Sequence, residues 1–197
     1  MKKNQLALAC AALFMMNTAY ATMPLPSGWY VEGNVGRSQQ TDKSFPGDVK
    51  NTGFGWNINA GYKFTQYVSG EVGFTHYAET RIRAPGYSTV ATDQHYSYDL
   101  AGKLTLPILN SGIDIFGKAG VGRINSYTEI KNRAGVAANN YYFNTGVHSH
   151  TVPYFGSGLE FAIINNLMIN AQWERAKGTN QTGDLDLYSV GLAFMFQ

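Results

Sequence analysis

The chain has 197 residues, including 22 Gly, 13 Tyr, 11 Phe and one Cys, with 15 Lys+Arg against 13 Asp+Glu. That length suits a single domain, and so small a net charge offers no basic footprint to a nucleic-acid partner. One cysteine excludes a disulfide framework and any centre built from several thiolates. At the start, Lys2 and Lys3 precede an apolar run from Leu6 to Met16, and Ala19-Tyr20-Ala21 has the small-x-small form of a cleavage site. Residues 1–21 therefore read as an export signal cleaved after Ala21, with Cys10 inside its apolar run rather than at a lipid-attachment site. The run is too short to span a membrane. Its removal leaves 197 − 21 = 176 residues as one domain, 22–197, with 15 − 2 = 13 basic residues against 13 acidic ones and no cysteine.

From there the apolar residues recur with period two, the signature of β-strands. A first strand, Trp29 to Arg37, sets Trp29, Val31, Gly33 and Val35 against Tyr30, Glu32 and Asn34, and a polar loop through Asp42, Pro46 and Asp48 follows. The second, Phe54 to Phe64, sets Phe54, Trp56, Ile58, Ala60 and Tyr62 against Gly55, Asn57, Asn59, Gly61 and Lys63. Thr65-Gln66 makes a tight link to the third, where Val68, Val72 and Phe74 oppose Ser69, Glu71 and Thr75. A long loop is expected over 79–94, then a fourth strand with Tyr96, Tyr98, Leu100, Leu104 and Leu106 opposite Ser97, Asp99, Lys103 and Thr105. After a turn at Pro107–Ser111, the fifth strand sets Ile113, Ile115, Ala119 and Val121 against Asp114, Phe116 and Lys118, and the longest loop is expected over 125–148. The sixth carries Phe155, Leu159, Phe161 and Ile163 on one face and Glu160 on the other; the seventh carries Leu167, Ile169, Ala171 and Trp173 opposite Asn170, Gln172 and Glu174. The last, Tyr188 to Phe196, alternates Tyr188, Val190, Leu192, Phe194 and Phe196 with small residues. Leu185 and Leu187 fall on its other face, which suggests a bulge or a strand end outside the lipid.

About nine residues is the length of a tilted strand crossing a bilayer, and in hydrocarbon such strands must close into a barrel to pair every peptide group. The fold expected is all-β: an eight-stranded antiparallel up-and-down transmembrane barrel. Its connections alternate long and short, as do extracellular loops and periplasmic turns. A soluble barrel with the rings inside is the competing reading. It fails because eight strands leave a lumen only just wide enough for side chains, while the face opposite the rings holds glycines, amides and charges. Two aromatic belts fit the lipid-outward assignment. Trp29, Tyr62, Phe64, Phe161, Phe194 and Phe196 fall at one end, and Phe54, Trp56, Tyr96, Tyr98, Trp173 and Tyr188 at the other.

Along nearly the whole mature length the chain resembles the transmembrane domain of the OmpA family. The resemblance is carried by Gly102-Lys103-Leu104-Thr105-Leu106-Pro107-Ile108, Ile113-Asp114-Ile115-Phe116, Val152-Pro153 with Gly158-Leu159-Glu160-Phe161-Ala162-Ile163, and Ser189 to Phe196. It implies a bacterial outer-membrane location, with membrane lipid, lipopolysaccharide and the outer-membrane assembly machinery as partners. It also implies an interior gate of Glu71, Lys103 and Glu160, with Asn170 where the family has an arginine. Without that arginine, Glu71 and Lys103 become the expected pair and Glu160 competes for the lysine. The family's periplasmic peptidoglycan-binding domain has no counterpart in the sequence, and Gln197 follows the phenylalanine that usually ends the assembly signal.

Three arginines, Arg37, Arg123 and Arg175, share the lipid-facing parity at strand ends on the long-loop side, where a guanidinium can bind lipopolysaccharide phosphates bidentately. His148, Ser149, His150 and Glu160 loosely resemble the groups of the PagL lipid A deacylases, but the His-x-Ser spacing is absent. No enzyme activity or cofactor is expected, and His148-x-His150 lacks a third ligand for a metal. Tyr87, Tyr141, Tyr142 and Phe143 lie in the expected loops, where contact with a host surface or another protein would reside. The function expected is support of membrane integrity or surface interaction, with a narrow pore through the gate as the alternative.

Overall fold

A computed structural model of the protein describes residues 27–41, 46–108, 111–143, 145–179 and 182–196; residues 1–21, expected as an export signal and including Cys10, and Gln197 lie outside them. The chain forms β1 (Gly28–Thr41), β2 (Asp48–Lys50), β3 (Thr52–Lys63), β4 (Val68–His76), β5 (Thr80–Ala84), β6 (Tyr87–Pro107) and β7 (Ile113–Ile130). A one-and-a-half-turn helix α1 (Arg133–Ala138) follows, then β8 (Gly146–Ile164), β9 (Leu167–Ala176) and β10 (Asp184–Met195). All pairings are antiparallel. Eight strands close in the order β1-β3-β4-β6-β7-β8-β9-β10, and β10 returns to β1 in unbroken register from Tyr30↔Met195 to Thr41↔Asp184. Closure removes the free edges that hydrocarbon forbids.

The sequence suggested eight strands, and the structure has ten. The two additional strands, β2 and β5, stand outside the ring and extend the upper half of β6 as a small side sheet. The segment expected as a loop over 79–94 is thus mostly a hairpin, turning at Pro85-Gly86 where the glycine has φ +78°. The longest expected loop also shrinks. β7 and β8 stay paired as far as Thr128↔Gly146, leaving 131–145 for the connection, with Asn132 accepting a 3.0 Å hydrogen bond from the Gly135 N–H to cap α1. Both segments are rich in polar residues such as Arg81, Arg83, Ser126, Thr128 and Glu129, so their composition resembles loop more than strand. The link between β3 and β4 runs from Phe64 to Tyr67.

The bulge expected near Leu187 is not there. β10 pairs without interruption to both β1 and β9, and the irregularities fall instead at Ile82/Ala84 and Ala162/Ile164. Leu185 and Leu187 simply point inward, on the part of β10 nearest the long loops.

Across the membrane band the ring strands show most of their rings and aliphatics to the outside. Ile58 is 51% exposed while its neighbour Asn59 is 1% exposed. Aromatic belts close the two ends of this apolar band. Trp29–Tyr62 and Tyr62–Phe64 contacts at 5.1 and 5.2 Å lie at the short-turn end, and Trp56–Phe74, Phe74–Tyr98 and Phe155–Trp173 contacts at 5.5, 5.2 and 5.8 Å at the other. Inside, apolar clusters bracket a charged layer. Tyr30, Met168, Ala193 and Met195 pack together at the short-turn end. Tyr77, Ala101, Ile124, Val152, Tyr154, Ala176, Leu185 and Leu187 pack together towards the long-loop end, and a third cluster of Ile82, Ala84, Val90 and Ala91 lies in the extension.

Candidate functional site

The charged layer draws on six of the eight ring strands: Glu32 (β1), Glu71 (β4), Lys103 (β6), Lys118 (β7), Glu160 (β8) and Glu174 (β9), all buried. Lys103 and Lys118 are directly opposed across the β6–β7 pair, a repulsive arrangement unless carboxylates surround it. They do. Lys103 Nζ lies 2.7 Å from Glu160, 3.7 Å from Glu71 and 4.0 Å from Glu32. Lys118 Nζ lies 2.9 Å from Glu71, 3.2 Å from Glu174 and 3.7 Å from Glu32. The expected Glu71–Lys103 pair is therefore present but secondary: Glu160 is the closer partner of Lys103, and Glu71 sits closer to Lys118. A neutral shell completes the layer. Tyr30 donates to Glu71 at 2.5 Å, Asn34 and Gln172 donate to Glu32 at 2.7 and 3.0 Å, and Asn57 donates to Glu174 at 2.5 Å. The Phe116 ring lies under Lys103, 4.1 Å from Nζ to the centroid. Asn170 faces Glu160 across β8–β9, and neither atom of its amide has a hydrogen-bond partner among the described residues.

Parity alone places Glu32, Lys118 and Glu174 in the lumen. It does not order the pairs, because strand stagger decides which inward residues share a level. Among these six residues four carboxylates face two ammonium groups, a formal charge of 2 − 4 = −2, and the buried Lys63 and Asp99 flank them on the short-turn and long-loop sides.

At the long-loop rim the three arginines differ. Arg37 is exposed, in register with Phe54 on one side and Tyr188 on the other. Arg123 is exposed on β7, opposite Tyr98 and Thr151. Arg175 is already bound: Nε and a terminal nitrogen donate to the two oxygens of Asp186 at 2.7 and 2.8 Å, and the Trp173 indole donates to the same carboxylate at 2.9 Å. Asp186 lies on an exposed parity yet is buried by this clamp, a pairing that becomes visible only in the Asp186↔Arg175 register.

A family profile described as the outer membrane protein beta-barrel domain matches residues 6–196. The chain belongs to this family. Its place is accordingly the bacterial outer membrane, long loops outward. No curated protein sequence matches it. Among solved structures it is similar to the Neisserial surface protein A, with a TM-score of 0.61 at 16% identity over 86% of this chain and 98% of that one. OprG from Pseudomonas aeruginosa gives 0.64 at 11% over 87% and 97%. Ail, the attachment invasion locus protein of Yersinia pestis, solved with the heparin analogue sucrose octasulfate, gives 0.50 at 19% over 86% and 99%. Identities this low speak for the shared barrel alone.

Within this outer-membrane barrel the deacylase-like residues do not meet. His150 and Glu160 lie on one strand ten residues apart, about 33 Å along β8. Glu160 is held by Lys103, and Ser149 donates to Asn125 at 2.5 Å. Among the described residues no group of three His, Cys, Asp or Glu side chains is placed to hold a metal. A different trio, unremarked in the sequence, does meet in the extension: Asp93, His95 and Ser126, all buried. Asp93 and Ser126 approach the same imidazole nitrogen, Nε2, at 3.0 and 3.3 Å, so the ring cannot relay a proton from one to the other. Thr128 and Gln40 complete this network, which ties β6 to β7 and to β1.

Of the loop aromatics, Tyr87, Tyr141 and Phe143 pack onto the Ile82–Val90 cluster, Tyr141 and Phe143 with centroids 6.3 Å apart. Tyr142 alone of the four is free, 89% exposed. Nearby, Lys131 donates to Glu129 at 2.6 Å, a bond that raises the lysine's pKa but, standing in water, adds little stability.

Proposed function

We propose that the protein is a non-catalytic outer-membrane barrel that is closed to solutes, reinforces the membrane and presents its tall extracellular wall to partners. One observation carries this: the lumen is occupied by a six-residue ionic layer between two apolar clusters. An ion entering from either side meets a lumen narrowed by buried aliphatic and aromatic side chains, which share the short-turn end with the buried Lys63 and the long-loop end with the buried Asp99, and a hydrated ion finds no continuous solvation there. The extension above the membrane supports the surface role. β6, β7 and β8 rise beyond the outer aromatic belt as a hydrogen-bonded wall braced by its own core, which is a rigid platform for the exposed Tyr142 rather than a set of free loops. Ail and the Neisserial surface protein share the barrel fold, and their names describe attachment and surface exposure.

Planar-bilayer recording tests closure. Neither the wild type nor Lys103→Ala is expected to give unitary conductance, since the apolar clusters on both sides remain when the lysine is removed. Steady channels from the wild type would overturn the proposal, and channels from the variant alone would identify the ionic layer as the only barrier.

A further inference from the structure

The outer wall is not uniformly convex. Between β1, β10, β9 and β8 lies an open groove of about 490 Å³, within the range of small-molecule sites. The small side chains of Ser157 and Ala171 form its floor, Val35 and Val190 one flank, and Trp173 and Tyr188 its extracellular end. Val35, Ser157, Ala171 and Val190 are all exposed on the outward face, so the groove opens onto the hydrocarbon.

One cation stands over it. Arg37 follows Val35 on the same outward face, about 6.6 Å further along β1. Among the described residues no hydrogen bond or ion pair engages its guanidinium, whereas Arg175, the next arginine around the rim, is neutralised by Asp186. The Arg175–Asp186 pair is neutral and offers an anion no free cation on the β9–β10 side of the mouth, which leaves Arg37 as its receptor. A groove for one chain beneath one free guanidinium is an amphipathic site, and its position at the extracellular end of the wall opens it to the outer leaflet.

We propose that this groove seats an acyl chain of lipid A while Arg37 binds one of its glucosaminyl phosphates through charge-assisted hydrogen bonds. The site rests on the chain's place in the outer membrane and is independent of whether the lumen conducts.

Native mass spectrometry of the full barrel refolded in detergent, titrated with lipid A, tests this. The wild type is expected to retain one lipid A. Arg37→Gln, which removes the charge, and Ala171→Trp, which fills the groove, should each lower retention about tenfold or more. Lipid A stripped of its phosphates should bind the wild type as weakly as intact lipid A binds Arg37→Gln. Arg123→Gln is the control, because β7 lies four strands from β1 in either direction around the ring, and its retention should stay at the wild-type level. Equal losses in Arg37→Gln and Arg123→Gln would overturn the site in favour of diffuse rim charge. Equal retention of phosphatidylglycerol would overturn the choice of lipid A, and a dimer that Ala171→Trp dissociates would assign the groove to a second copy of the chain. A native-like shift between unboiled and boiled samples on a gel confirms that each variant is folded before it is compared.

Discussion

Replacing Lys118 with methionine is expected to destabilise the folded barrel by about 3–5 kcal/mol, the usual consequence of removing one partner from a buried ionic group. Lys118 has no exposed surface, and its ammonium group is the nearest cation to both Glu71 and Glu174. Methionine matches the aliphatic stem, so packing is nearly conserved and the loss reports charge. Without Lys118, Glu174 loses its ion-pair partner and Lys103 alone faces Glu32, Glu71 and Glu160, already committed to Glu160 at 2.7 Å. Urea unfolding of the barrel in lipid vesicles, followed through its tryptophans, gives the measurement. Adding Glu71→Gln to the lysine variant should recover part of the loss, because the amide keeps the acceptor that receives the Tyr30 hydroxyl at 2.5 Å while removing one unpaired charge. A loss below about 1 kcal/mol, or no recovery in the double variant, would mean that water screens the layer and that the lumen is wetter than its apolar ends imply.

The parts of the fold that were legible in the sequence are those where hydrocarbon dictates the residues. Trp56, Ile58 and Ala60 can alternate with Gly55, Asn57 and Asn59 only if one face meets lipid and the other a narrow polar lumen, and the structure has each of them on the expected side. Above the outer aromatic belt that constraint ends. There both faces of a strand meet water or a small local core, so Ser126, Tyr127 and Thr128 carry no strong apolar alternation and the strand read as loop. The same limit hid the side sheet of β2 and β5, whose register depends on contacts with β6 rather than on any pattern of its own.

Site residues followed a similar division. Inward parity found all six charged groups, because any charge on a spanning strand must avoid lipid. The partner of each charge was not legible: neighbouring strands are staggered, and side chains as long as lysine and glutamate reach across several levels. The resemblance favoured Glu71 for Lys103, and the distances favour Glu160. At the rim, three arginines of identical parity looked equivalent until Asp186 was found clamped by one of them. Among the loop aromatics, a run of three rings suggested a common recognition surface. Two of them instead close a local core, which is the commoner fate of large apolar side chains beside a hydrophobic cluster.

Leu187 offers the second large effect, and it addresses the same closure from the apolar side. Its parity was at odds with a lipid-facing role, and the structure resolves this by making it, with Leu185, the inward contribution of β10 to the extracellular apolar cluster. Leu187 is 0% exposed, and the strand that carries it is hydrogen-bonded on both edges within a closed ring. Such a wall cannot move in to fill a void, so Leu187→Ala should incur both the lost transfer energy and a nearly full cavity term, about 2–5 kcal/mol in the same urea titration. Leu192→Ala, five residues along the strand but facing outward, is the matched comparison: lipid flows into the space it leaves, and only the transfer part should be lost. The difference between the two variants isolates the cavity. If both lose the same amount, the lumen above the ionic layer is soft or hydrated, and the apolar end that keeps ions from Lys103 and Lys118 would have to be sought in the extension instead.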